Sequence, residues 1–189
     1  MKKSLGAKTL IVPTPVWIIG TYDDEGKPNA MTAAWAGVCC SDPASVSVSL
    51  RAATLTHSNI TKRKAFTVNV PSEAHLTEAD YFGIASGRDA NKFERAGLTP
   101  VPSELVDAPY VAEFPLVLEC ALSHIVEIGL HTLFVGTILD VKADEECIRL
   151  GKYPDIEKVK PFVYSPGSSE YHGIGKKIGK GFSAGRKIG

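Results

Sequence analysis

A six-residue alternation is the feature that most constrains the fold of this chain. From Ser45 to Leu50 every second residue is apolar, and the residues between them are serines. A period of two puts one kind of side chain on each face of an extended segment, so residues 44–51 predict a half-buried strand. Other segments rich in β-branched and aromatic residues predict strands at 9–22, 29–40, 65–70, 114–128 and 131–142, with weaker candidates at 147–150 and 162–164.

Three segments between the strands have helical character. Residues 55–63 follow Thr54, which can cap a helix, and residues 90–96 precede Gly97, which suits a helix end. The third segment, 75–84, carries apolar residues at helical spacing. Strands joined mostly by hairpins, with helices inserted after the third and fourth, predict a mainly β fold. We therefore expect a barrel with α insertions rather than a doubly wound parallel sheet.

Charge and cysteine content narrow the classes of partner. Lys plus Arg and Asp plus Glu number 21 each, so no net charge points to nucleic acid or an anionic membrane as partner. Neither a signal peptide nor a stretch of transmembrane length is recognisable in the sequence. The four cysteines form no C-x-x-C pair, which favours buried thiols over disulfides or zinc. We expect a cytoplasmic protein without a metal site.

The end of the alternating strand carries groups that suit a phosphate. The strand ends at Arg51, and Thr54 and Thr56 follow where a helix is expected to begin. Guanidinium, hydroxyl and helix N-terminal N–H groups all donate to phosphate oxygens. The small residues around Met31 would let the backbone approach a flat ligand closely. The alternative is a half-buried strand followed by an ordinary capped helix.

Three sequence blocks in order resemble a known family. They are N-x-M-T-x-x-W from Asn29, S-L-R-x-x-T-x-T-x-x-N-I from Ser49, and S-G-R-x-x-x-K-F from Ser86. These blocks resemble the flavin reductase-like, FMN-binding split-barrel proteins, and the flavoredoxin branch in particular. The resemblance runs from about Pro13 to Tyr164. It implies a split β-barrel of Greek-key type that pairs into a homodimer.

The resemblance also implies how the chain is divided. Residues 1–165 would form the flavin reductase-like FMN-binding split-barrel domain, and residues 166–189 a basic, glycine-rich C-terminal tail. The glycines from Gly173 onward do not match a dinucleotide-binding loop, because their spacing is wrong and no βαβ unit can follow. The tail is expected to be solvated. The alternative is a flap near the flavin or a basic lip for an anionic substrate.

The resemblance further implies a site that holds FMN noncovalently. The cofactor-binding residues it indicates are Asn29, Ala30, Met31, Thr32, Ala33, Trp35, Ser49, Leu50, Arg51, Thr54, Thr56, Ser86, Lys92 and Tyr164. The backbone of residues 29–34 would hold the ring edge, Trp35 would cover the ring, and Lys92 would neutralise the phosphate. His131 would lie beside the flavin as the candidate catalytic residue.

Several of these residues have a second interpretation. Trp35 may be read as an ordinary core residue, Lys92 as a solvated helix lysine, and His131 as a turn residue without a role. Tyr171 is a weaker candidate than Tyr164 for capping the ring. Arg88 is expected to point to water.

The expected function follows from the cofactor. The chain would be an FMN-binding redox protein, similar to flavoredoxin, that accepts electrons and passes them on, with a redox protein as possible partner. An alternative is an NAD(P)H-dependent flavin reductase that releases reduced flavin, and a more distant one is a flavin-binding protein without turnover. Whether the protein is an oxidoreductase enzyme or a carrier stays open at this point.

Overall fold

The computed structural model describes residues 1–188 and is built mainly of strands. The strands are β1 (Thr14–Pro15), β2 (Trp17–Tyr22), β3 (Pro28–Ala33), β4 (Ala36–Ser41), β5 (Ala44–Arg51), β6 (Ala65–Val70), β7 (Pro100–Pro102), β8 (Pro109–Val111), β9 (Leu116–Ile128), β10 (His131–Ala143), β11 (Ile148–Arg149), β12 (Tyr153–Pro154), β13 (Phe162–Ser165) and β14 (Glu170–Gly173). The helices are α1 (Leu55–Arg63), α2 (Leu76–Ile84), α3 (Lys92–Ala96) and α4 (Ile156–Val159). The predicted mainly β fold with inserted helices is confirmed.

Seven strands form one antiparallel sheet in the order β3-β2-β6-β9-β10-β5-β4. The predicted strand over residues 29–40 is two strands, because the extended conformation breaks at Ala34 and Trp35. Strands β3 and β4 are the two edges of the sheet, yet only those two residues separate them. The edges must therefore lie side by side, so the sheet curls into a barrel that is split along this line. The split barrel is the predicted fold class.

The alternation at 45–50 has the predicted effect on packing. Val46, Val48 and Leu50 are buried in the barrel interior together with Phe66 and Phe134. A second core lies between the sheet and helices α2 and α3; its members include Ile18, Ala30, Phe82, Phe93 and Phe114. The two cores lie on opposite faces of strands β2 and β3, which fixes the position of both strands and of the helices beside them.

The chain ends form a separate small sheet beside the barrel. Strands β1, β13 and β14 pair in the order β1-β13-β14. Only Thr14–Pro15 and Trp17–Tyr22 are strands within the predicted segment 9–22. Strand β14 lies in the segment 166–189, where Tyr171 is partly buried against the second core, whereas residues 174–186 are exposed. The first part of that segment is therefore packed against the barrel.

Two further findings bear on the sequence predictions. Cys120 and Cys147 are buried as expected, but Cys39 and Cys40 are exposed because they lie on the edge strand β4. All four thiols are free. No helix within residues 1–188 is long and apolar enough to span a membrane.

Candidate functional site

Three cavities follow the split of the barrel and share lining residues. The α1 cavity has a volume of about 210 Å³. It lies between residues 53–56, where α1 begins, and residues 83–88, which are the end of α2 and the loop after it. The Tyr164 cavity, about 280 Å³, shares Gly83 and Ile84 with it. The Trp35 cavity, about 450 Å³, shares Ala34 with the Tyr164 cavity. The three therefore form one trough of the size that small ligands and cofactors occupy.

The N-terminus of α1 opens into the α1 cavity. Thr54 is the N-cap residue, and its hydroxyl accepts a hydrogen bond from His57 N at 3.3 Å. The turn before it is closed by Thr54 N, which donates to Arg51 O at 3.0 Å. The first turn of α1 carries no acidic residue. The partial positive charge and free N–H groups of this helix start therefore face the cavity without a competing carboxylate.

Lys92 lies at the wall of the same cavity and is buried, with 3% of its surface exposed. Its Nζ donates to Phe82 O at 2.9 Å and to Ala85 O at 3.1 Å, at the last turn of α2. Burial lowers the pKa of Lys92 from 10.5 to about 8. The alternative of a solvated lysine is wrong, because α2 and α3 pack around the side chain. A buried ammonium bonded only to neutral carbonyl groups favours an anionic ligand beside it.

Asn29 provides a buried acceptor that has no partner within residues 1–188. Its Nδ2 donates to Thr56 Oγ1 at 2.9 Å, while its Oδ1 is buried and lacks a hydrogen bond among the residues described. A Cβ added at Gly87 would collide with this oxygen, so the loop approaches Asn29 as closely as it does only with glycine there. Leaving a buried acceptor unpaired costs about 1–3 kcal/mol. A ligand hydroxyl that donates to Asn29 Oδ1 would remove this cost.

The loop after α2 is tied to the turn before α1. Ser86 is exposed, and its hydroxyl accepts a hydrogen bond from Arg88 N at 3.2 Å. Arg88 is exposed, as expected, and its Nη1 also donates to Ala53 O at 2.7 Å. This contact joins two parts of the wall of the α1 cavity. Sequence reasoning missed Arg88 and Gly87 as site residues, although both belong to the S-G-R block that marked Ser86.

Trp35 and Ser49 line the Trp35 cavity. The backbone of Ser49 holds the break between β3 and β4 in place, since Ser49 N donates to Trp35 O at 2.8 Å. The indole is 37% exposed, so the interpretation of Trp35 as an ordinary core residue is wrong. A large aromatic side chain at the rim of a cavity is well suited to contact a flat ring.

Tyr164 and Thr32 line the Tyr164 cavity together with Asp80 and Tyr171. The Thr32 hydroxyl donates to Ala79 O, and the Tyr171 hydroxyl donates to Asp80 Oδ1 at 2.8 Å. Both hydrogen bonds join a strand to α2. Helix α2 therefore anchors the walls of this cavity.

Apart from Met31, the remaining predicted residues line none of the three cavities. Ala30, Ala33 and Leu50 are buried in the two cores, so a ligand would meet them through backbone groups. Arg51 is exposed and pairs in register with His131 across β5 and β10. His131 is partly buried and does not line any of the three cavities. Met31 lines the α1 cavity.

The donor set of the trough fits FMN. A buried ammonium, hydroxyls and a free helix start at one end suit a terminal phosphate, and the unpaired Asn29 Oδ1 suits a ribityl hydroxyl. The wider cavities at the other end suit a ring system. Fold and site together define a split-barrel flavoprotein.

Comparison with known proteins identifies the family. The chain matches the flavin reductase like domain over residues 9–168 and belongs to the flavin reductase-like family. It is 55% identical to the solved flavoredoxin of Desulfovibrio vulgaris (Miyazaki F), with a TM-score of 0.94 over 98% of this chain and 100% of that one. Flavoredoxin from Methanosarcina acetivorans gives a TM-score of 0.92 at 26% identity, with full coverage of both chains. These matches confirm the flavoredoxin branch, and FMN is the flavin cofactor.

A third relative is larger than this chain. The high molecular weight rubredoxin of Moorella thermoacetica is 37% identical over 102 residues, which cover 53% of this chain and 43% of that protein.

Proposed function

We propose that this flavin-binding redox protein is an electron carrier that keeps its FMN bound and exchanges electrons with another protein. The observation that carries this proposal is the charge of the trough. Lys92 and Arg88 line the α1 cavity, whereas the Tyr164 and Trp35 cavities are lined by no Lys or Arg among the described residues. The bound FMN supplies the redox chemistry.

The charge distribution disfavours a nicotinamide dinucleotide as donor. Such a donor carries a pyrophosphate, which proteins bind with cationic side chains or helix starts. The cationic groups of the α1 cavity lie where the FMN phosphate would take them. Among the residues that the structure describes, the charged residue that lines the other two cavities is Asp80, an acid. The Moorella relative is named a rubredoxin, which supports a redox protein as partner.

The cofactor would be held by the residues predicted from the sequence. Lys92, Ser86 and the α1 start with Thr54 would bind the phosphate, and Arg51 would add charge from the strand end before them. Asn29 and Thr56 would bind the ribityl chain beside Met31. This assignment is supported by the buried Lys92 ammonium and the unpaired Asn29 Oδ1.

The ring end would be held mainly by backbone groups and enclosed by aromatic side chains. Backbone N–H and C=O groups of residues 30–33 and 49–50 would meet the ring edge, and Thr32 would stand beside it. Trp35 and Tyr164 would cover the ring, which excludes water and limits access to its face. His131, at the strand end beside Arg51, would meet the redox partner.

A flavin reductase is the second candidate, and the size of the Trp35 cavity favours it. That cavity has a volume of about 450 Å³, and Trp35 is 37% exposed at its rim. It has room for a small organic molecule. An NAD(P)H-dependent reductase would need this opening both to admit the donor and to release the product.

Anaerobic stopped-flow reduction separates the two candidates. A carrier with a covered ring should be reduced slowly by NADH or NADPH and rapidly by dithionite. Tyr164→Ala should speed the nicotinamide reaction because it opens the ring face, whereas Tyr153→Ala, at an exposed position on β12, should not. Reduction of the unmodified protein by NADH or NADPH at about ten per second or faster would make it a reductase. Failure of any donor to reduce the flavin would instead indicate flavin binding without turnover.

Assembly and location extend the proposal. A homodimer is supported by the apolar tip of the β9–β10 hairpin, where Val126, Ile128 and Leu130 are exposed. The exposed free thiols of Cys39 and Cys40 support a reducing compartment such as the cytoplasm. We retain the division into a domain at residues 1–165 and a tail at 166–189, with the tail strand β14 docked on the domain.

A further inference from the structure

Tyr171 joins the C-terminal strand to helix α2. Its hydroxyl donates to Asp80 Oδ1 at 2.8 Å, and the two residues are 91 positions apart in the chain. A hydrogen bond to a carboxylate is among the stronger kinds. Burial, and next the hydrogen bond to Asp80, raise the pKa of Tyr171 above its ordinary value, so the phenol stays protonated and donates at neutral pH.

The ring of Tyr171 packs against the ring of Tyr164. The two residues are opposite each other in the register of β13 and β14, and their ring centroids lie 5.4 Å apart. On the same side Tyr171 meets Phe162 edge-on, with centroids 5.5 Å apart. Tyr164 and Tyr171 both line the Tyr164 cavity. The Tyr164 ring therefore rests on a residue that is itself held by Asp80.

Helix α2 connects this contact to the other end of the trough. Asp80 lies in α2, and the carbonyl groups that bind Lys92, Phe82 O and Ala85 O, belong to its last turn and C-cap. Gly83 of the same helix packs on Thr32. One rigid element thus carries the contacts of both ends of the site.

We propose that Tyr171 is a positioning residue for the flavin site: its hydrogen bond to Asp80 holds the Tyr164 ring at the Tyr164 cavity. This inference rests on the proposed role of Tyr164 as a cover of the FMN ring. Tyr171 acts through Tyr164 and needs no contact with the cofactor. Loss of the hydrogen bond would let the Tyr171 ring and the Tyr164 ring that rests on it shift, while the pairing of β13 with β14 remains.

A double-mutant cycle on the FMN-loaded full chain tests the proposal. Tyr171→Phe removes the donor and Asp80→Leu removes the acceptor of this hydrogen bond, each with little change of side-chain size. Both should raise the rate of flavin reduction by NADH by about threefold or more, and both should change the visible circular dichroism of the bound flavin. In a Tyr164→Ala background neither substitution should change the rate further, because the ring that Tyr171 positions is gone. Tyr153→Phe, at an exposed tyrosine, is the matched control and should leave both signals unchanged.

The outcomes separate this inference from the proposed function. If Tyr164→Ala changes rate and spectrum but Tyr171→Phe and Asp80→Leu change only the thermal midpoint, Tyr171 is merely structural and the inference is wrong. Equal effects of Tyr171→Phe with and without Tyr164 would also overturn it, because Tyr171 would then act by another route. If Tyr164→Ala itself leaves the flavin signals unchanged, the proposed ring cover is wrong and the inference falls with it.

Discussion

At Lys92, burial and charge act against each other. The side chain is almost fully buried, yet its partners are two backbone carbonyl groups, and burial lowers its pKa to about 8. The folded protein therefore holds a cation in a place that disfavours charge. A dianionic phosphate beside it would stabilise the charged form. Lys92 is thus the residue at which cofactor binding and folding are most directly coupled.

Lys92→Ala should weaken FMN binding roughly ten- to a hundredfold, because a charge-assisted hydrogen bond contributes about 1.5–3 kcal/mol. Riboflavin lacks the phosphate, so its affinity should barely change. Fluorescence titration of the apoprotein with both ligands measures the difference. Lys152→Ala, at an exposed lysine, is the control. Equal losses for FMN and riboflavin would place Lys92 away from the phosphate.

The pH dependence of Lys92 should have opposite signs for stability and for binding. The pKa in the folded protein, about 8, lies below the ordinary value of 10.5, so between these values the unfolded state binds more protons. The Lys92 contribution to the free energy of unfolding of the apoprotein should therefore rise with pH from about 8 to 10.5. FMN binding needs the charged form, so its affinity should fall above pH 8, by up to about tenfold per pH unit.

Titrations of FMN into apoprotein between pH 7 and 10 test the binding trend, and urea unfolding tests the stability trend. Lys92→Met removes the titrating group. It should therefore remove the Lys92 contribution to the pH dependence of both FMN affinity and the free energy of unfolding. If Lys92→Met shows the same pH dependence of FMN affinity and of stability as the unmodified protein, another group is responsible for the titration.

At the scale of elements, the site depends on two short segments that break regular structure. The break at Ala34 and Trp35 turns the chain from one edge of the sheet to the other and leaves Trp35 at a cavity rim. The loop after α2 brings Gly87 against Asn29 and Arg88 against Ala53. Neither segment shows a hydrophobic periodicity in the sequence. Their conformations are fixed by the strands and helices that they connect.

Gly87→Ala should impair FMN binding by moving this loop, because the added Cβ would collide with Asn29 Oδ1. Overpacking of this kind costs about 1–3 kcal/mol. Isothermal titration calorimetry with FMN and thermal unfolding of the apoprotein together measure the effect. Gly175→Ala, where nothing lies within 4 Å of the new Cβ, is the control. Unchanged affinity in Gly87→Ala would show that the loop moves without touching the cofactor site.

At the scale of the whole molecule, the long β9–β10 hairpin extends beyond the packed part of the barrel. Its turn at Gly129 has a φ of +51°, and the side chains around it are apolar and exposed, with Leu130 at 66%. The edge strand β4 adds Val38, which is 75% exposed. Exposed apolar residues on a projecting hairpin and on an edge strand are typical of an interface between protein chains.

Sedimentation equilibrium at micromolar protein should give about twice the chain mass of 20.2 kDa. Ile128→Glu should shift the equilibrium towards monomer, because it places a charge in the apolar tip. Leu150→Glu, which is exposed elsewhere on the surface, should leave the mass unchanged. A mass of one chain at micromolar protein would rule out the proposed homodimer.

The sequence by itself determined most strands of the main sheet and, through the resemblance of three blocks to a known family, the cofactor. The alternation at 45–50 predicted a strand with Val46 and Val48 inward, and the structure confirms it. The prediction was possible because a strand with one buried face alternates apolar and polar residues in its own sequence, whichever strands it pairs with. The three sequence blocks indicated FMN because they resemble those of a family of FMN-binding proteins. The turn at Gly129 and the cap at Thr54 were predictable from the local sequence.

Only the tertiary structure decided how these parts meet. The split of the barrel, the burial of Lys92, the contact of Arg88 with Ala53 and the hydrogen bond of Tyr171 to Asp80 all join residues whose partners are set by packing. A lysine, an arginine and a tyrosine in the sequence are compatible with solvent as well as with burial. Their surroundings depend on which surfaces the folded chain brings over them, and local sequence patterns carry no information about that.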